Sequence, residues 1–331
     1  MAVKSESKVA TTLEVPKHSQ LINFDEIKAE LRPRMREWKN SLGLIRENWT
    51  ALLGIFMVLF ILLMALFAPV LAPQQSNGDP MQIPRDLELP KPPFQEGVPL
   101  LGTGGNGIDI YYGVVWGART TVVTSLYVVL TAALIGLVLG GLAGYYGGKV
   151  DEVIMRFTDI FLSMPALILA MAIASILTKS LENMMFALII VWWPSYARLI
   201  RGQVLSVREN TYVEAARAIG SKRNRILFKH IIPNSISPLI VSITLDLGAV
   251  ALVSASLSYI GFGVGPGYAE WGRMISDGQR WFLSSVSFNG VSYTPWWALV
   301  FPGVALLIFT MGCSLIGDGL RDILDPRSRR G

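Results

Sequence analysis

The residues best placed for chemistry in this 331-residue chain lie in one polar stretch near its middle. Glu214-Ala215-Ala216-Arg217-Ala218-Ile219-Gly220 is followed by Lys222, Arg223, Arg225 and Lys229 and then by Ile231-Ile232-Pro233-Asn234, with long apolar segments on both sides. The chemistry on offer is contact rather than bond making. Thr211-x-x-Glu214 has the spacing of a capping box, in which the Thr hydroxyl accepts from the amide of Glu214 and the carboxylate accepts from the amide of Thr211. That accounts for Glu214 as a helix-starting residue. It leaves Ala215, Ala216, Ala218 and Gly220 unexplained, since they make a helix too smooth to build a core of its own. Gly220 can end the helix in a left-handed turn, and Arg217 with the basic residues after it can pair with acidic groups or lipid phosphates. Two readings stand on physics alone: a helix that docks into a partner's groove, or one that lies on a membrane surface.

Few other side chains are candidates. Asp246 is an ionisable group inside an apolar segment, which makes it a translocation-pathway candidate by default, with a structural partner on a neighbouring helix as the alternative. Cys313 is the single cysteine and His18 and His230 are far apart, so neither a disulfide framework nor a His/Cys metal site can be assembled. No catalytic, metal or cofactor site is expected. Gly102-x-Gly104-x-x-Gly107 matches a dinucleotide fingerprint literally but follows no strand and opens no βαβ unit. Gly148-Lys149 is followed by Val150, with Ala143 at the first position, so it is not a phosphate-binding loop and the chain cannot hydrolyse ATP by that route.

The elements that hold these residues are membrane segments. Hydrophobic residues make up 52% of the chain and charged residues only 16%, and the mean hydropathy is +0.46, too apolar for ordinary soluble domains. The net charge of +5 comes from Lys and Arg in blocks beside apolar runs, as membrane topology requires, so nucleic acid is not an expected partner. Six segments approach the ~20 apolar residues of a span: Ala51 to Val70, Thr120 to Tyr146, Val153 to Leu177, Met184 to Ala197, Ser237 to Phe262 and Trp296 to Ile316. In the second, Gly136, Gly140 and Gly144 recur every four residues, which suits close approach of another helix as well as general glycine tolerance in membranes. Pro165 falls within the third. The fourth is short and is expected to continue as helix through Arg198 and Arg201, with a possible kink at Pro194. The fifth opens with Ser237-Pro238, read as an N-cap followed by a first-turn proline.

With the N-terminus inside, the inner segments carry 23 basic residues against five or six outside, the ambiguous one being Arg119 at a membrane edge. Both termini and the loop 208–234 are therefore expected in the cytoplasm. The expected organisation is a cytoplasmic arm at 1–49, a first span at 50–71, an external loop at 72–118, a five-helix core at 119–320 with a second external loop at 264–295, and a cytoplasmic tail at 321–331. In the arm, Ile27, Leu31, Met35, Trp38, Leu42, Ile45 and Trp49 recur every three or four residues among basic ones, the pattern of an amphipathic helix at the inner membrane surface. No signal-peptide core precedes the first apolar run, so that run is expected to stay as an anchor. The outer loop 264–295, with Trp271, Trp281 and Phe282, is expected to fold back on the bundle.

Glu214-Ala215-Ala216 with Gly220, and Ile231-Ile232-Pro233 further on, resembles the EAA loop of permeases in type I ABC importers. Leu101-Gly102-Thr103, Gly117-Ala118-Arg119, Ser258-Tyr259-Ile260-Gly261-Phe262-Gly263, Trp271-Gly272, Asp277-Gly278, Phe301-Pro302-Gly303 and Gly317-Asp318-x-Leu320-Arg321-Asp322-x-Leu324-Asp325-Pro326-Arg327 are similar, in order, to the second permease of the dipeptide/oligopeptide/nickel importer family. The family's usual Asp after Leu-Gly-Thr is Gly104 here. The resemblance implies an all-α integral membrane subunit with six transmembrane helices in the multi-pass permease fold. It implies a homologous permease as heterodimer partner, two ATP-binding ATPase subunits docked on the cytoplasmic side, and an external solute-binding protein. The ATPase-coupling residues would be Glu214, Ala215, Ala216, Arg217, Ala218, Gly220 and Pro233. The subunit would be no enzyme itself and would import peptides, with oligosaccharides, glutathione or chelated nickel as alternatives. A stand-alone ion-coupled transporter is the rival from another class, and it would need an intramembrane charge relay of which only Asp246 is at hand.

Overall fold

The computed structural model describes residues 48–74, 78–85 and 89–324. The expected amphipathic helix of the N-terminal arm, up to residue 47, lies outside the described residues, as does 325–331.

Five described helices are long and apolar enough to cross a membrane: α1 (Trp49–Leu66), α2 (Ile110–Tyr146), α5 (Leu181–Arg208), α7 (Ser237–Ile260) and α9 (Trp297–Leu324). Between α2 and α5 stand α3 (Gly148–Leu162) and α4 (Ala166–Ile176), an apolar pair bent by 88° at the break between them, which counts as a sixth, broken span if the two cross together and as a re-entrant loop if they do not. The sequence reading took this region as one segment. The break falls at Ser163 to Pro165 because proline lacks an amide donor and forces the residue before it out of helical geometry. Among the shorter helices, α6 (Thr211–Ala218) follows α5 and α8 (Trp271–Phe282) precedes a small hairpin, β1 (Val286–Phe288) with β2 (Val291–Tyr293).

Helix starts follow local chemistry, with two departures from expectation. The side chains of Asn48 and Asp109 accept from the amides of Ala51 and Tyr112 and so start α1 and α2. With that cap, α2 begins ten residues before Thr120, inside the segment read as loop. Ser237 is the first residue of α7 rather than its cap, because the chain arrives from the turn Ile232–Ser235 already helical at Ile236. Pro238 still occupies the first turn, where its missing donor is harmless.

The glycine row on α2 is a contact surface. A Cβ at Gly136 would stand 2.4 Å from Tyr196 Cβ, and one at Gly140 would stand 2.2 Å from the Ala197 carbonyl oxygen. One at Gly144 would stand 2.9 Å from the Arg201 carbonyl oxygen. The two backbones of α2 and α5 touch along this seam, the arrangement that small residues permit. Around it Val128, Val129, Ala132, Leu188, Ala197, Ile200 and Val204 are buried. Pairs Arg201–Asp151 and Arg198–Asp159 fasten α3 to α5, and Phe157 and Phe161 pack on Trp193.

At the other end of α2, three indoles stitch the loops to the bundle. Trp116 donates to the Ala72 carbonyl at 3.0 Å, Trp271 to Val114 at 3.0 Å and Trp297 to Thr103 at 2.9 Å. The segments 78–85 and 264–270 pair through Ile83 to Gly267 and Ala269 to Met81. The loop 264–295 thus folds back on the bundle. The stretch Gly102-x-Gly104-x-x-Gly107 serves this packing: Gly102 and Gly107 have positive φ, and a Cβ at the intervening Gly105 would collide with the Trp281 indole. Glu270 is buried and starts α8, accepting from the amides of Gly272 at 3.1 Å and Arg273 at 2.8 Å. Burial pushes its carboxyl up, opposed by these amides and the Ser258 hydroxyl.

Candidate functional site

The loop 208–234 carries α6 at the end of the bundle opposite α8. Its helix does not start as the sequence suggested. Thr211 is the first helical residue, not the cap, and the capping box is absent: the carbonyl of Asn210 accepts from the amides of Val213 at 2.9 Å and Glu214 at 3.3 Å instead. Asn210 already holds the extended cap conformation, which displaces Thr211 by one position. Glu214 is left exposed. The far end is as expected: Gly220 has φ +79°, its amide donates to Arg217 at 3.0 Å and that of Ser221 to Ala216 at 3.1 Å. This is a complete Schellman stop.

The helix has two unlike faces. Val213 and Ala216 turn inward, at 0% and 8% exposure, onto the core that includes Ile226, Leu227 and Ile231. Glu214, Ala215, Arg217, Ala218 and Gly220 turn outward, joined by Tyr212 and by Ile219, which is 82% exposed. Ala216, taken from the sequence as part of a smooth outer surface, therefore belongs to the inner face. Ile219 was not singled out, although an isoleucine between Ala218 and Gly220 is the one large apolar side chain the stop leaves outside. Beyond the short helix Arg223–Ile226 the chain widens into a π-helical stretch, Leu227–Ile231, and Pro233 follows, exposed, in the first turn of Ile232–Ser235. A proline there lacks the donor that the preceding turn would need to stay α-helical.

The loop is tied to the last turn of α2 on both sides of α6. Before it, Arg208 Nη1 donates to the Gly144 carbonyl at 3.1 Å. After it, the Tyr145 hydroxyl donates to the Arg223 carbonyl at 2.9 Å and Tyr146 to Asn224 Oδ1 at 3.4 Å. A cavity of about 440 Å³ lies beside these bonds, lined by Tyr145, Tyr146, Arg217, Ser221, Arg223 and Ile226. The sequence held no pattern for these staples, which join positions 64 to 78 apart.

Asp246 sits apart from this loop, midway along α7 and half-buried. It is within interaction range of Trp192 and Tyr196 of α5, while the buried Tyr196 hydroxyl has no hydrogen-bond partner among the described residues. The contact is thus looser than a direct hydrogen bond. Clefts flank Asp246 along α7. One of about 360 Å³ is lined by Leu199, Ser237, Val241, Ser242, Leu245 and Arg321. The other, of about 420 Å³, is lined by Leu252, Ser256, Tyr259 and Ile275 among others. No cluster of three or more metal-ligating side chains occurs among the described residues.

Comparison with known proteins supplies the context. Residues 136–330 match the family model described as binding-protein-dependent transport system inner membrane component, and residues 37–93 match the N-terminal TM domain of oligopeptide transport permease C. The probable D,D-dipeptide transport system permease protein DdpC of Escherichia coli is 41% identical over 82% of this chain and 85% of its own length. The dipeptide transport system permease protein DppC of Alkalihalophilus pseudofirmus is 36% identical over 88% and 90%. The oligopeptide transport system permease protein OppC of Bacillus subtilis is 34% identical over 88% and 90%. Among solved structures, a chain of the inward-facing MetNI methionine ABC transporter aligns with a TM-score of 0.51 at 20% identity, covering 65% of this chain and 97% of that one, which bears on the fold. With a family model spanning more than half its length and relatives of this closeness along most of it, the chain belongs to the binding-protein-dependent transport system inner membrane components, as a multi-pass permease with the type I importer fold.

Proposed function

We propose that this chain is the membrane permease subunit of an ATP-driven, binding-protein-dependent importer and forms half of a translocation pathway for peptides. The observation that carries the reading is α6: a helix that presents Glu214, Ala215, Arg217, Ala218, Ile219 and Gly220 outward at the end of a bundle, held from behind by Val213 and Ala216. An outward surface of small residues flanked by the exposed side chains of Tyr212 and Ile219 suits insertion into a groove of a soluble partner. The ATPase-coupling region is then 208–234, including Pro233 at its exit. The second permease forms a heterodimer with this chain, two ATPase subunits dock on the cytoplasmic side, and an external solute-binding protein delivers substrate. The chain itself is not an enzyme. The basic-residue bias supports a cell-membrane protein with both termini and α6 in the cytoplasm, and with 72–118 and 264–295 outside.

Peptides are favoured as cargo because the relatives of this chain are named dipeptide and oligopeptide permeases. The two clefts along α7 with Asp246 between them support α7 as a wall of the pathway. In proteoliposomes containing both permeases and the ATPases, uptake of a labelled dipeptide is expected only with ATP and the binding protein. ATP hydrolysis or ion-driven uptake by this chain alone would contradict the reading. Mass spectrometry of the ligand carried by the binding protein separates peptides from oligosaccharides, glutathione or chelated nickel. Labelling of Ser221→Cys by a membrane-impermeant maleimide from outside intact cells would overturn the orientation.

A further inference from the structure

We propose that α2 is the transmission rod of the subunit, carrying displacement of the α6 loop to the α8 end, with Tyr145 as the positioning residue that fastens its inner end. The proposal rests on the reading of α6 as the docking helix. α2 is one unbroken helix of 37 residues with no internal proline. At 1.5 Å per residue it is about 55 Å long, well beyond the ~30 Å hydrocarbon core of a bilayer, so it reaches the structured loops at both ends. The parallel helix α5 also leads into α6, but it carries Pro194, where one ladder hydrogen bond is missing.

The two ends of α2 are fastened to different machinery. At the inner end, Gly144, Tyr145 and Tyr146 bond to Arg208, Arg223 and Asn224, bracketing α6 on both sides. Of these staples Tyr145 is the firmest: the residue is 9% exposed and its hydroxyl donates to a backbone carbonyl at 2.9 Å. At the outer end, α2 is seated against α8, with Trp271 bonded to Val114, its indole against Gly117, and Met274 against Gly113. Over the inner third of the helix, from Gly136 to Gly144, the glycine seam with α5 resists bending because backbone lies on backbone. A shift of the loop is therefore delivered to α8 without crossing a flexible joint. The α8 face so moved lines the outer cleft along α7 through Gly272 and Ile275.

The test uses the assembled complex with the second permease and both ATPase subunits in nanodiscs. Ser256→Cys reports on the outer cleft, and Cys313, the native cysteine, is buried. Maleimide labelling rates are compared between the nucleotide-free state and the state trapped with ATP and vanadate. Tyr145→Phe keeps the ring and removes the donor. The trapping-dependent change in labelling rate should fall about fivefold, as expected for one lost intramolecular hydrogen bond, while ATPase co-purification and basal hydrolysis stay at wild-type level. Tyr146→Phe, with its longer and exposed bond, should have a smaller effect. An unchanged nucleotide response in Tyr145→Phe overturns the proposal. So does loss of ATPase co-purification, which would make the bond a determinant of the loop's fold rather than of transmission. If the Tyr145→Phe complex holds its ATPases but Ile219→Glu holds them equally well, it is the docking reading that fails.

Discussion

The two ends of the bundle are built on opposite plans. At the α8 end, loops that are far apart in sequence are closed onto the helices by three buried indole donors, and the cap of α8 is a buried carboxylate with its acceptors filled. At the α6 end the structure stops short of closure. Tyr212 on α6, Ile219 at its stop and Phe228 in the stretch beyond are 43%, 82% and 67% exposed beside a row of basic side chains, although the backbone of α6 is fully capped at its end. The contrast teaches that one end is closed by bonds between its own distant loops, although Leu283 at the stop of α8 is as exposed as Ile219, whereas the helix at the other end is held only by its inner face and presents an outer one.

The largest effect should come from damaging the α8 end. Trp271→Ala removes a fully buried ring and its bond to Val114, and such a truncation typically costs about 3–5 kcal/mol. A strong fall in thermal stability of the detergent-solubilised subunit is expected. If the variant melts like wild type, the α8 end is not held as described. Next comes the seam between the ends. Gly140→Val drives a side chain into the Ala197 carbonyl and should cost about 1–3 kcal/mol as α2 and α5 separate, visible as a lower melting midpoint.

That seam was legible in the sequence because absent side chains at four-residue spacing are a local pattern. Pro165 was visible inside the third apolar segment, but the segment reads as one span, and the 88° break there depends on packing that no local pattern carries. The staples and indole bonds were not legible, since Trp271 and Val114 lie 157 positions apart and meet only once the helices pack. Around α6 the sequence misled in two ways. Thr211-x-x-Glu214 fits a capping box, but Asn210, one residue earlier, took the cap position. Ala216 could not be assigned a face, because a helix of eight residues is too short for periodicity to separate inside from outside.

Smaller effects sharpen the functional half of the comparison. Asp246→Asn should leave expression and assembly intact, since its neighbours Trp192 and Tyr196 make no tight bond to it, yet slow dipeptide uptake in the reconstituted importer. Uptake at the wild-type rate would reduce Asp246 to a structural role. The smallest change is expected for Glu214→Gln. Its carboxylate is exposed and closes no capping box, so neither the melting midpoint nor basal ATP hydrolysis should move measurably.

The central claim, that the outward face of α6 receives the ATPase subunits, is tested most directly by Ile219→Glu. Ile219 is exposed and has an ordinary right-handed backbone, so the substitution carries none of the left-handed strain that any side chain at Gly220 would bring. The quantity to measure is the amount of ATPase subunit that co-purifies with the permease pair at equal expression and equal melting midpoint. Burying an unpaired carboxylate in a partner's groove costs several kcal/mol, so capture should fall by more than about tenfold. Undiminished capture by Ile219→Glu would contradict the account and leave α6 as a helix lying on the membrane surface.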